Sequence, residues 1–120
     1  MSIYQMGAIE AQFADIVWQS EPIASTQLCK TAMEKFGWKK STTYTVLKRL
    51  CEKGILKNDN GQVVAVITKE EFYSHQSDRF VNDNFGGSLP AFIAAFTAKN
   101  NLTREQINEI KEMIDKFEGE

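Results

Sequence analysis

The sequence predicts a mainly α protein with one small β-hairpin: a winged helix-turn-helix over residues 1–68, then a helical pairing region over 69–120. Three observations predict it. Apolar residues recur at helical spacing in three consecutive stretches before Gly54. The period then changes to a β-branched run on either side of an Asn-Gly turn signal. Past that run, two Thr-x-x-Glu/Gln capping-box patterns open further helices.

In chain order, Ile9, Phe13, Ile16 and Val17 form the first apolar stripe, with Trp18 beside it, and Pro22 closes the segment. Ser25 is placed to cap a second helix. That helix runs to about Phe36 with Leu28, Cys29, Ala32, Met33 and Phe36 inward, and Gly37 stops it. The third helix, about 40–53, turns Thr43, Val46, Leu47 and Leu50 to the core and ends at Gly54. Ile55-Leu56-Lys57 and Gln62 to Thr68 read as strands around the Asn58-Asp59-Asn60-Gly61 turn.

The rest of the chain is helical. Thr68 to Glu71 opens a helix through about Asn84 that carries Phe72, His75, Arg79 and Phe80, and Gly86-Gly87 breaks it. Leu89, Phe92, Ile93 and Phe96 mark a short apolar helix. Thr103 to Gln106 starts a last one, with Ile107, Ile110, Ile114 and Phe117 on a heptad-like face. About 50 residues cannot readily build an independent core. These apolar positions therefore read as a dimerisation seam formed by Phe80, Leu89, Phe92, Ile93, Phe96, Ile107, Ile110, Ile114 and Phe117. The alternative is a tail folded back on the head.

Composition narrows the function. No apolar run approaches the roughly 18 residues of a membrane span, and the N-terminus lacks the basic-then-apolar order of a leader. The expected location is cytoplasmic. Cys29 and Cys51 stand 22 positions apart with no metal-ligand spacing, so both read as small buried hydrophobes, and no metal site is expected. Enzymatic chemistry finds no support. His75 is the single histidine, the carboxylate pairs Glu70-Glu71 and Asp78 with Asp83 sit in surface-like helical contexts, and no glycine-rich phosphate loop or nucleophile–base pair is present. No cofactor is implied.

Charge is unevenly distributed. The net charge is −2, yet from Lys30 to Lys57 eight basic residues face only Glu34 and Glu52, whereas from Lys69 onward ten acidic residues outnumber six basic ones. Attraction to phosphate is local, so the basic segment decides which partner is favoured. Its third helix leaves Ser41, Thr42, Tyr44, Thr45, Lys48 and Arg49 on the outer side or flanks, a face suited to the major groove of double-stranded DNA. Lys39, Lys40, Arg49 and Lys53 are candidates for phosphate contact, and the hydroxyl residues with Lys48 for base reading. An amphipathic helix of this kind is also met as a plain solvated face. A winged-helix protein-interaction module without a DNA ligand is the competing function.

The order of these features resembles the penicillinase repressors, the BlaI/MecI/CopY-type transcriptional regulators. Ile9 to Trp18 is similar to their opening helix. Trp38 with Ser41-Thr42, then Leu47, Arg49, Leu50 and Lys53-Gly54, is similar to their recognition helix. Gly86-Gly87, the apolar helix, Leu102-Thr103 and the closing helix resemble their pairing tail. The resemblance implies a homodimeric repressor of a palindromic operator that reads DNA with Ser41, Thr42, Tyr44, Thr45 and Lys48. It also implies Arg49 and Lys53 at phosphate or supporting the turn.

Three departures from the family stand out. Ser41 and Tyr44 replace the family's lysine and arginine, and the wing Gly61-Gln62-Val63-Val64 carries no charge. In β-lactam-responsive members a sensor protease cuts between asparagine and phenylalanine. The matching pair here is Ala95-Phe96, so a sensor protease is a partner implied by resemblance, without the asparagine. The cysteine-rich ending of copper-responsive members is absent.

Overall fold

The apolar stripes of the first seventy residues converge on one core in a computed structural model, which describes residues 6–119; most of the segment read above for a leader lies outside them. Helix α1 (Ala8–Ser20) buries Phe13, Ala14, Ile16 and Val17. Strand β1 (Ile23–Ala24) follows, then α2 (Ser25–Phe36), α3 (Lys40–Glu52), β2 (Leu56–Asp59), β3 (Gln62–Ala65) and α4 (Lys69–Phe85). Phe13, Leu28, Leu50, Ile55, Leu56, Val63 and Phe72 meet at the centre with at most 1% exposure, one or more from nearly every element. This is a winged helix-turn-helix.

The wing is a three-stranded antiparallel sheet in the order β1-β3-β2, with Ile23 opposite Val63 and Leu56 opposite Ala65. The two-residue loop of the β2–β3 hairpin has positive φ at both central positions, Asn60 (50°) and Gly61 (87°). That pair of values is what a type I′ turn demands and what the Asn-Gly dipeptide tolerates. Strand β1 is not foreseen from sequence: two residues carry no periodicity. Its partner is found through space.

Gly37 stops α2 as expected, with φ of 70° and its N–H bonded to the Met33 carbonyl at 2.9 Å. Three side chains depart from their expected places. Ser25 does not cap α2; it is the first helical residue and is buried, while its backbone N–H bonds to the Gly61 carbonyl at 2.7 Å. The hairpin turn thus satisfies a donor at the start of the helix, and the hydroxyl is released for another partner. Met33 and Ile9 lie on helix flanks and are exposed rather than inward.

The chain divides into two compact units, one reaching Asp78 and one beginning at Arg79, past the 68/69 junction that the capping box suggests. Phe72 explains why the first reaches so far. It is buried in the head core beside Trp18, ring centroids 5.8 Å apart, and the Trp18 indole N–H donates to the Ile67 carbonyl at 3.1 Å. The Thr68 capping box forms: Glu71 N–H donates to Thr68 Oγ1 at 3.0 Å, and Thr68 N–H donates to Glu71 Oε1 at 3.3 Å.

In the second unit, Gly86 and Gly87 both adopt positive φ and separate α4 from α5 (Leu89–Thr97), which is capped by Ser88; α6 (Arg104–Glu118) opens with the Thr103–Gln106 capping box. Neither α5 nor α6 has a buried residue. Phe92 sits between Phe80 and Phe85 in edge-on contacts at 5.9 and 5.6 Å. Among the described residues, no helix is long and apolar enough to cross a membrane.

Candidate nucleic-acid interface

Helix α3 is built as the sequence implies on its inner side: Thr43, Val46, Leu47 and Leu50 are its buried residues. Rotation by helical spacing leaves Lys39, Lys40, Ser41, Thr42, Thr45, Lys48 and Arg49 exposed. Trp38 steadies the approach to this helix by packing on Phe36 and Phe13, with centroids 4.8 and 5.6 Å away.

The N-terminal end of α3 is electrostatically unusual. Lys39 is the N-cap residue and Lys40 the first helical one, no side chain caps the free amides, and the first turn holds no acidic residue. The helix dipole already places about half a positive charge there. Two lysines on that end oppose local stability by some tenths of a kcal/mol each. Cations are thus concentrated at this end against a local preference.

The other end is compensated. Arg49 Nη1 lies 3.5 Å and Lys53 Nζ 3.8 Å from the two oxygens of Glu10, on α1. Glu10 is a residue the sequence pattern does not single out, because its partners stand about forty positions away.

Tyr44 is less exposed than its neighbours on the outer side of α3. It is half-buried against the core, and its hydroxyl donates to Ser25 Oγ at 3.2 Å, which joins α3 to α2. The ring thus lies at the interhelical seam while one side of it still borders the groove between α3 and the hairpin. The Thr45 hydroxyl donates to its own helix at the Ser41 carbonyl, 2.9 Å away, and so offers an acceptor and a methyl outward. Lys57 is not singled out by the pattern of the third helix, which ends before it. It is exposed on β2 and borders, with Lys48, Tyr44 and Val66, the groove between α3 and the hairpin. In sequence it is marked only by its place at the end of the basic stretch from Lys30.

Neither cysteine forms a disulfide and both are half-buried rather than fully buried, and burial pushes the Cys51 thiol up, away from the reactive thiolate. Among the described residues no three His, Cys, Asp or Glu side chains gather as metal ligands. The hydrogen bond to Asp15, 2.7 Å long, holds the Lys69 ammonium above its ordinary pKa.

In the second unit, Phe80, Leu89, Ile93, Phe96, Ile114 and Phe117 are exposed apolar side chains, Phe117 at 78%. Phe92, Ile107 and Ile110 are half-buried. Leu89, Phe92, Phe96, Leu102, Ile110 and Met113 line a largely apolar groove. Ala95-Phe96 lies inside α5, both residues exposed.

Comparison with known proteins agrees with this architecture. The sequence model of one family, the penicillinase repressors, matches residues 6–116. The chain belongs to the penicillinase repressor family. It is similar over nearly its whole length to a penicillinase repressor of Bacillus licheniformis, at 25% identity across 98% of this chain and 94% of the relative. The methicillin resistance regulatory protein MecI of Staphylococcus aureus strain Mu50 is 22% identical across 94% of this chain and 95% of its own. A protein of the same name from Mammaliicoccus sciuri is 21% identical over the same shares. As a family member the chain is a transcriptional repressor.

Proposed function

We propose that this repressor binds a palindromic DNA operator as a homodimer in the cytoplasm, with α3 in the major groove of each half-site. The observation that carries the reading is the division of α3. Its back is buried, with Val46, Leu47 and Leu50 beside Thr43, whose hydroxyl is spent on the Lys39 carbonyl, while its outer side pairs short hydroxyl groups with lysines and its uncapped N-terminus gathers two more. Lys39 and Lys40 anchor phosphate together with the helix dipole, and Lys57 reaches the flanking backbone. Ser41, Thr42, Thr45 and Lys48 read base edges. Tyr44 acts from behind, by fixing α3 against α2. Arg49 and Lys53 lie at the far end of the helix, toward a second stretch of phosphate.

Division of labour follows the chain: the winged helix meets DNA, and the region from α4 onward pairs two copies. Open apolar side chains on α5 and α6 support pairing, since one chain leaves them in water. A two-fold dimer delivers two copies of α3 at a spacing set by the duplex repeat.

The test is a gel-shift titration of the repressor's own promoter region against random duplex at ~150 mM salt, where nonspecific attraction is largely screened. Selective binding with a two-fold footprint is the expected outcome. Equal affinity for both duplexes would overturn the reading.

A further inference from the structure

We infer that Glu10 is an internal phosphate mimic that limits how strongly the head attracts any duplex. The inference rests on the proposed DNA reading and extends it to a residue of α1 outside the recognition helix.

Glu10 accepts the Gly7 backbone N–H at 3.2 Å, which fixes the carboxylate at the first turn of α1. Its oxygens then face Arg49 Nη1 at 3.5 Å and Lys53 Nζ at 3.8 Å. The Glu10 side chain is only 14% exposed, whereas that of Arg49 is 53% exposed. An immobilised anion therefore holds a largely solvent-facing cation, and the asymmetry matters. Arg49 can turn toward a ligand, but Glu10 cannot follow it or leave. Each carboxylate oxygen faces one cation, Oε2 toward Arg49 and Oε1 toward Lys53, as two oxygens of one phosphate could. Any DNA backbone that approaches the C-terminal end of α3 must compete with Glu10 for both cations. It also meets the carboxylate's own charge once they turn away.

The two ends of α3 consequently differ in kind. Lys39 and Lys40 have no acidic residue in the first turn beside them, while the far cations are balanced by α1. Attraction that carries no sequence information is trimmed at one end only.

Glu10→Gln separates charge from architecture, because glutamine also serves the capping position and can accept the Gly7 N–H through its amide oxygen. Binding of the full-length variant and of wild type to a random duplex and to the promoter duplex is titrated across a salt series. The variant is expected to bind random duplex about three- to tenfold more tightly, as two released surface ion pairs allow. Its log–log salt slope should steepen by roughly one to two. Adding Arg49→Gln should remove about half of that steepening. A folded variant with an unchanged slope, or with weaker binding, while wild type still selects its promoter, would overturn the inference and leave the DNA reading standing. Wild type that binds neither duplex would overturn both. If Glu10→Gln fails to fold, Arg49→Gln and Lys53→Gln made singly in the wild-type background carry the test. Each should alter the slope by well under one phosphate equivalent, and a full equivalent would overturn the inference.

Discussion

At the level of single residues, α3 shows how a step of one position, roughly 100° around the helix, changes a side chain's surroundings. Thr43 and Tyr44 adjoin in sequence, yet Thr43 is fully buried and Tyr44 lies at the seam with Ser25. Hydroxyl-bearing residues in a basic helix look alike in sequence, and only the partner found through space distinguishes a tether from a reader. Tyr44→Phe is expected to lower the unfolding free energy by about 0.5–1.5 kcal/mol, the worth of one hydrogen bond between neutral groups. It should leave promoter affinity nearly unchanged. Urea unfolding beside a binding titration checks both, and a large loss of affinity at unchanged stability would return Tyr44 to the groove. The Glu10 contacts to Arg49 and Lys53 were illegible for a similar reason: charges forty positions apart have no local signature.

Among the elements, those with long periodic stretches were legible and those defined by partners were not. The four buried positions of α3, the Asn60-Gly61 turn and the capping boxes at Thr68 and Thr103 follow from spacing and turn chemistry. Strand β1 and the buried place of Ser25 depend on the hairpin coming back to meet them. The uncapped start of α3 leads to a prediction of opposite effects. Lys39→Ser supplies a capping oxygen and removes a charge opposed to the dipole. It should stabilise the protein by about 0.5–1 kcal/mol, or a few degrees in Tm. The same change should weaken duplex binding and make the salt slope shallower by about one. Thermal melts with a salt-series titration measure the two together. A gain in stability with no loss of binding would remove Lys39 from the interface.

Across the whole molecule, two units carry apolar surface very differently. The head buries its stripe, whereas α5 and α6 contain no buried residue despite Leu89, Ile93, Phe96, Ile114 and Phe117. If the second unit pairs two copies, Ile110→Asp should shift the mass in solution from dimer to monomer. It should also weaken promoter binding far more than binding to a single half-site, because linked half-sites gain from effective concentration. Sedimentation with both duplexes tests this, and a wild-type monomer under the same conditions would refute pairing.

Phe72 gives the start of α4 a second duty. Although it follows the wing, its ring is buried against Trp18, so the opening turn of that helix is part of the winged domain's core. A shortened chain ended at residue 68 would expose Trp18 and forfeit roughly 3–5 kcal/mol, as loss of a buried phenylalanine does. Any agent that pulls α4 outward would therefore loosen the very scaffold that presents α3, with no need to touch the helix itself.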